Sequence, residues 1–115
     1  MILGISEREA QVRFFLTAYE RKDIETISKM LAEDVLLRDW NHEVSGIEAA
    51  VVEYSKNFRD AESLRISINQ ILEAESGVAA ELEIVVNGSE NLNVVDVFTF
   101  NDANEITSVV AYKGL

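Results

Sequence analysis

Two aspartates occupy positions where an apolar side chain would be expected. In Leu92-Asn93-Val94-Val95-Asp96-Val97-Phe98-Thr99-Phe100, strand alternation puts Asp96 on the face of Leu92, Val94, Phe98 and Phe100. Asp39 shares its parity with Val35 and Leu37, at the end of a short apolar run. A carboxylate turned into an apolar interior must be neutralised, paired or hydrogen-bonded, because a bare buried charge is costly. No basic partner is evident for either: Arg38 points away from Asp39, and Lys113 is the only lysine or arginine after Arg65. Two acids sharing an apolar cavity can perform acid/base work, the more buried one protonated and the more exposed one ionised. Both also have a structural reading. Asp39 precedes Trp40-Asn41-His42, where an aspartate commonly closes a turn on its own backbone, and Asp96 fits a buried acid bonded to a tyrosine or to the main chain.

Composition narrows the chemistry further. The 115 residues suit a single domain, 1–115, with 48% hydrophobic and 27% charged residues. With 10 Lys+Arg against 21 Asp+Glu, the net charge of −11 argues against nucleic acid or an anionic membrane as partner. The absence of Cys excludes disulfides and thiolate chemistry, and the single His42 excludes a multi-histidine metal site; no phosphate-binding glycine loop occurs. No cofactor is therefore expected. His42 has two readings, a second base at the mouth of a pocket or, as is ordinary for a lone loop histidine, a solvated side chain. The apolar start Met1–Ile5 is too short for a signal peptide and lacks a basic lead, so a cytoplasmic protein is expected.

The elements that must position these residues read as helices first, then strands. Ser6 and Glu9 form a capping box, followed by Val12, Phe15, Leu16 and Tyr19 on one helical face. Asp23 caps a second helix with Ile24, Ile27, Met30 and Leu31 as its stripe. A short strand Val35–Asp39 precedes a third helix, opened by a box at Ser45 and Glu48 and carrying Ile47, Ala50, Val51, Tyr54 and Phe58. Alternating runs then predict strands over 64–75, 78–86, 91–100 and 105–113, with Asn87-Gly88 as the strongest hairpin signal. The expectation is an α+β fold: three helices on one face of a four-stranded antiparallel meander, plus a short extra strand.

In that order and spacing the chain resembles the nuclear transport factor 2-like superfamily, in its ketosteroid isomerase-like and SnoaL-like (polyketide cyclase-like) branch. The residues carrying the resemblance are Asp23-Ile24-Glu25, Ala32-Glu33-Asp34-Val35 before Asp39, Ser45-Gly46, and Val94-Val95-Asp96-Val97-Phe98-Thr99-Phe100 running into Ala111-Tyr112-Lys113-Gly114. The resemblance implies a cone-shaped fold on a curved sheet. It also implies that Asp39 is a base moving a proton beside a carbonyl, and that Asp96 is a neutral acid donating to the developing oxyanion, an arrangement well described for that enzyme class. Three positions depart from the isomerases. Phe15 stands where they carry a tyrosine donor, Trp40 where proline usually follows the base, and Lys113 where an aromatic lines the pocket. These departures point away from steroid isomerisation itself.

Tyr54, and Tyr19 one turn from Phe15, remain as auxiliary donors. Phe15, Tyr19, Trp40, Phe58, Phe98 and Tyr112 are the aromatic candidates for contact with a flat apolar or carbonyl-containing ligand. If the protein is an enzyme, an isomerase or a cyclase-type lyase is expected. The alternative is a non-catalytic homodimeric module of the same fold. Either form is expected to pair through the outer sheet face, here read as Asn69, Ile71, Val85, Val95, Val97, Val109 and Ala111.

Overall fold

The computed structural model describes residues 4–114; Met1–Leu3, part of the apolar start, and Leu115 lie outside them. Helix α1 (Glu7–Glu20) begins where expected: the Ser6 hydroxyl accepts the Glu9 N–H at 3.0 Å. The reciprocal half of the box is not made, because Glu9 turns to Arg13 at 3.1 Å and Ser6 donates to the Glu73 carboxylate. Asp23 caps α2 (Ile24–Met30), accepting from the Thr26 N–H at 3.2 Å and its hydroxyl at 2.7 Å.

The chain then departs from expectation. Leu31 does not finish α2 but opens β1 (Leu31–Arg38), which begins four residues before the anticipated Val35 and ends one before Asp39. Ser45 does not cap a helix; it ends a three-residue strand, β2 (Glu43–Ser45), paired antiparallel to β1. Gly46 is the cap of α3 (Ile47–Asp60), with φ of 92° and no side-chain hydrogen bond, a conformation that favours glycine. Strands β3 (Leu64–Ala74), β4 (Gly77–Val86), β5 (Glu90–Phe100) and β6 (Ile106–Lys113) follow the predicted meander. Asn87 and Gly88 both have positive φ, 55° and 74°, as the hairpin signal requires.

The sheet therefore has six strands in the order β2-β1-β6-β5-β4-β3, not four plus one. It is mixed, because β1 runs parallel to β6. That pairing is long-range in sequence, and no local pattern announces it. The α+β class and the three helices stand, and the helices bury the inner sheet face over a core centred on Phe15, Phe98, Ile27, Leu82 and Ile106.

Two register irregularities decide which side chains face that core. In β3 the extra residue between Ile68 and Gln70 turns Ile71 inward and Leu72 outward, where Leu72 is 61% exposed. In β6 the shift between Ile106 and Ser108 reverses the parity set by Ile106. Val109 is thereby buried and opposes Phe98, Ala111 opposes Asp96, and Tyr112 opposes Val95 on the outside. Ile71, Val109 and Ala111 are accordingly not outer-face residues. The outer apolar stripe runs instead through Leu72, Ala79, Val97 and Val110, joined in register, beside Val95 and Tyr112.

Candidate functional site

A cavity of about 330 Å³ opens between the inner sheet face, α1, α3 and the β1–β2 turn. Its sheet wall is apolar, built from Leu64, Ile66, Leu82, Ile84, Leu92 and Val94. Its opposite wall is polar, contributed by Arg38, Asp39, Asn41 and His42 of the turn and by Glu53, Asn57 and Asp60 of α3. Asp96 and the Tyr19 and Tyr54 rings lie within the same lining. Both aspartates singled out by parity thus border one space.

They are held very differently. Asp39 sits at the end of β1, and its Oδ1 accepts the main-chain N–H groups of Asn41 and His42, each at 2.7 Å. The Asp39 N–H returns a bond to the His42 carbonyl at 2.9 Å. The turn-closing role read from sequence is therefore real, and it fixes one carboxylate oxygen while the residue stays half-buried. Asp96 projects from the middle of β5 between the buried Val94 and Phe98, flanked in register by Ala80 and Ala111. The two small neighbours leave room around its carboxyl. No protein hydrogen bond to that carboxyl is found among the described residues, and burial pushes it from 3.8 up to about 7. Its residual exposed surface belongs to the cavity it lines.

The tyrosines complete this end. Burial raises Tyr19 to about 12 against the lowering effect of its bond to Asn57, and the charges of Asp96, Asp39 and Glu53 raise it further. Tyr54 is pushed well above 10, first by burial and then by Tyr19, Asp96 and Asp39. Both therefore keep their protons near neutral pH. The Asn57 amide donates to the Tyr19 oxygen at 3.4 Å, which leaves the Tyr19 proton available to another acceptor. Tyr54 is only 4% exposed and its hydroxyl has no partner among the described residues, a costly state for a buried polar group.

The remaining aromatic candidates divide. Phe15 lines the cavity and packs edge-on against Phe98 and Tyr54, with centroids 5.3 and 6.0 Å away. Phe58 and Phe98 do not reach the cavity; they support its rings from behind, Phe58 lying 4.9 Å from Tyr19. Tyr112 is outside altogether, on the opposite face of the sheet. Trp40 stands at the mouth, partly exposed, with the Lys113 ammonium 5.6 Å from its ring centroid.

Glu53 was not anticipated. It is 8% exposed, and its Oε2 lies 3.7 Å from His42 Nδ1, with Lys56 at 4.0 Å from Oε1. The spacing Glu53, Asn57, Asp60 is that of one helical stripe beside the Tyr54–Phe58 stripe, the signal that could have found it. Among the described residues, no three His, Asp or Glu side chains converge as metal ligands, and no helix is long and apolar enough to cross a membrane.

Comparison with known proteins matches this arrangement to a family. A SnoaL-like domain is matched over residues 12–109. The chain belongs to the SnoaL-like family. Solved structures similar to it lie in the nuclear transport factor 2-like superfamily. One is the epoxide hydrolase/cyclase-like enzyme SalBIII, described in pyran ring formation in the polyether salinomycin: 22% identity, TM-score 0.80, covering 95% of this chain and 92% of that one. Another is an NTF2-like protein of unknown function from Cytophaga hutchinsonii, at 17% identity and TM-score 0.79 over 98% and 95% of the two chains. A third is a candidate ketosteroid isomerase from Kribbella flavida, at 16% identity and TM-score 0.79 over 92% and 76%. At such identities these neighbours share the fold of this SnoaL-like chain and nothing finer is taken from them. Curated protein sequences give no match.

Proposed function

We propose that this SnoaL-like domain binds a small, flat, mainly apolar carbonyl compound and abstracts a proton beside its carbonyl. Asp39 is the base. Asp96, as the neutral acid, donates a hydrogen bond to the oxygen on which charge develops, with Tyr54 or Tyr19 as the second donor. The observation that carries this reading is the pairing at the deep end. Among the described residues the Asp96 carboxyl has no protein hydrogen bond and the buried Tyr54 hydroxyl no partner, and both residues line the same cavity as Asp39. Donors without protein partners are what a developing oxyanion needs, since they are already desolvated and aimed. A filled core around Asp96 would have favoured a purely associative module; the cavity supports the small-molecule reading instead.

The test is exchange of the acidic C–H protons of β-tetralone in deuterium oxide, followed by proton NMR. The protein is expected to accelerate exchange above buffer, and Asp39→Asn is expected to lose about 10²–10⁴ of that acceleration. An Asp39→Asn protein that exchanges at the wild-type rate removes Asp39 as base. A homodimer through the outer stripe accompanies this proposal, since Leu72, Val97 and Val110 give it an apolar patch. Val97→Glu should then halve the mass seen by light scattering while leaving exchange intact.

A further inference from the structure

The mouth of the cavity holds a third acid/base group that the proposed chemistry has not used. His42 Nδ1 lies 3.8 Å from Asp39 Oδ1 and 3.7 Å from Glu53 Oε2, so one imidazole edge faces two carboxylates. All three residues border the cavity. Glu53 is buried, whereas the His42 side chain is 53% exposed, so the imidazole is also open to water. Asp39 and His42 thus meet at the mouth, where the imidazole is the more exposed of the two, 53% against 28% for the Asp39 side chain.

We propose that His42, supported by Glu53, relays the proton between Asp39 and solvent. The inference rests on Asp39 being the base. The substrate C–H proton passes to the Asp39 carboxylate, leaving an enolate. The resulting carboxylic acid gives that proton to the imidazole, and the imidazolium releases it to water; no electrons change hands. The return path supplies the proton that quenches the enolate. The contacts are longer than a hydrogen bond, and one water or a small rotation of the imidazole closes them, as is common before a substrate is bound. Glu53 has a defined part. A buried carboxylate needs a cation, and while His42 holds the proton it is one of two nearby cations, the other being Lys56.

The distinguishing consequence is the fate of the proton. A base isolated from solvent returns the proton it removed, whereas a relayed one trades it first. The geometry also permits a clean removal, because Asp39 is held by the main-chain N–H of His42 and not by its side chain. His42→Ala therefore keeps the Asp39 turn and deletes only the relay.

With β-tetralone in deuterium oxide, His42→Ala should slow exchange about tenfold or more, and imidazole added to the buffer should restore most of the loss. Glu53→Gln should slow exchange by a smaller factor that imidazole does not restore. Asp39→Asn should lose exchange with no rescue. A His42→Ala protein that exchanges at the wild-type rate overturns the relay, and so does a slowed one that imidazole leaves unchanged, since that is a structural effect. If Asp39→Asn itself exchanges normally, the base assignment fails and the relay with it, a result distinct from the other two.

Discussion

The two ends of the cavity carry the same side chain in opposite states. At the mouth, Asp39 is half-exposed, held by two main-chain N–H groups and close to His42. At the deep end, Asp96 lies between apolar neighbours with no protein hydrogen bond among the described residues, and burial brings it to about 7. Desolvation favours the neutral acid over the carboxylate, and it acts on Asp96. The proposed roles follow this difference, Asp39 as the base and Asp96 as the hydrogen-bond donor. The difference comes entirely from backbone context: a strand end that turns back on itself against the centre of a strand that cannot.

The comparison can be broken at the deep end first. Asp96→Ala should lower the β-tetralone exchange rate about 10²–10³-fold, the usual effect of deleting an oxyanion donor. Wild-type exchange should fall as the pH rises through about 7, because Asp96 then ionises and stops donating. Equal activity well above that pH would show that a neutral Asp96 is not required.

Stability should register the same asymmetry. Asp96 is raised in the folded chain above its ordinary value of 3.8, so across about pH 4–7 the folded state holds a proton the unfolded state has released. This contribution is complete below the unfolded value and is lost as pH rises through about 7. Discounted for contact with the cavity, it amounts to about 2–4 kcal/mol. Asp96→Asn should therefore gain stability relative to wild type as the pH rises from about 4 to about 7 in urea unfolding. The smallest effect is expected at Tyr54. Replacing it by Phe removes an unsatisfied buried hydroxyl and should stabilise the fold by about 1–2 kcal/mol while slowing exchange, the mark of a group kept for function. A Tyr54→Phe protein of lower stability would mean that the hydroxyl has a structural partner.

Much of this was legible because its signals are local. Helical stripes placed Phe15 and Tyr54, Asn87-Gly88 placed the β4–β5 hairpin, and strand parity alone brought Asp96 to the inner face. What escaped was non-local or broke the period. The irregularity between Leu31 and Leu36 spoils the alternation of β1, so its first half looked like the end of a helix. A single shift after Ile106 misplaced Val109, Ala111 and Tyr112 together, and the one in β3 exchanged Ile71 with Leu72. Glu53 drew no reading from the sequence, because its neighbour His42 comes from the β1–β2 turn and not from its own helix. Periodicity resolves a face only as far as the next bulge.

The indole of Trp40 has a use beyond its place at the rim. It is the chain's only tryptophan, it lines the mouth, and an ammonium lies against its ring. Its ultraviolet emission therefore comes from one position alone, with the Lys113 charge setting part of its local field. A ligand passing the rim changes the wetting of that ring and its distance from the charge, so occupancy is written into the intrinsic fluorescence. The protein carries an optical gauge of its own cavity, and unlabelled compounds can be screened against it without a known reaction.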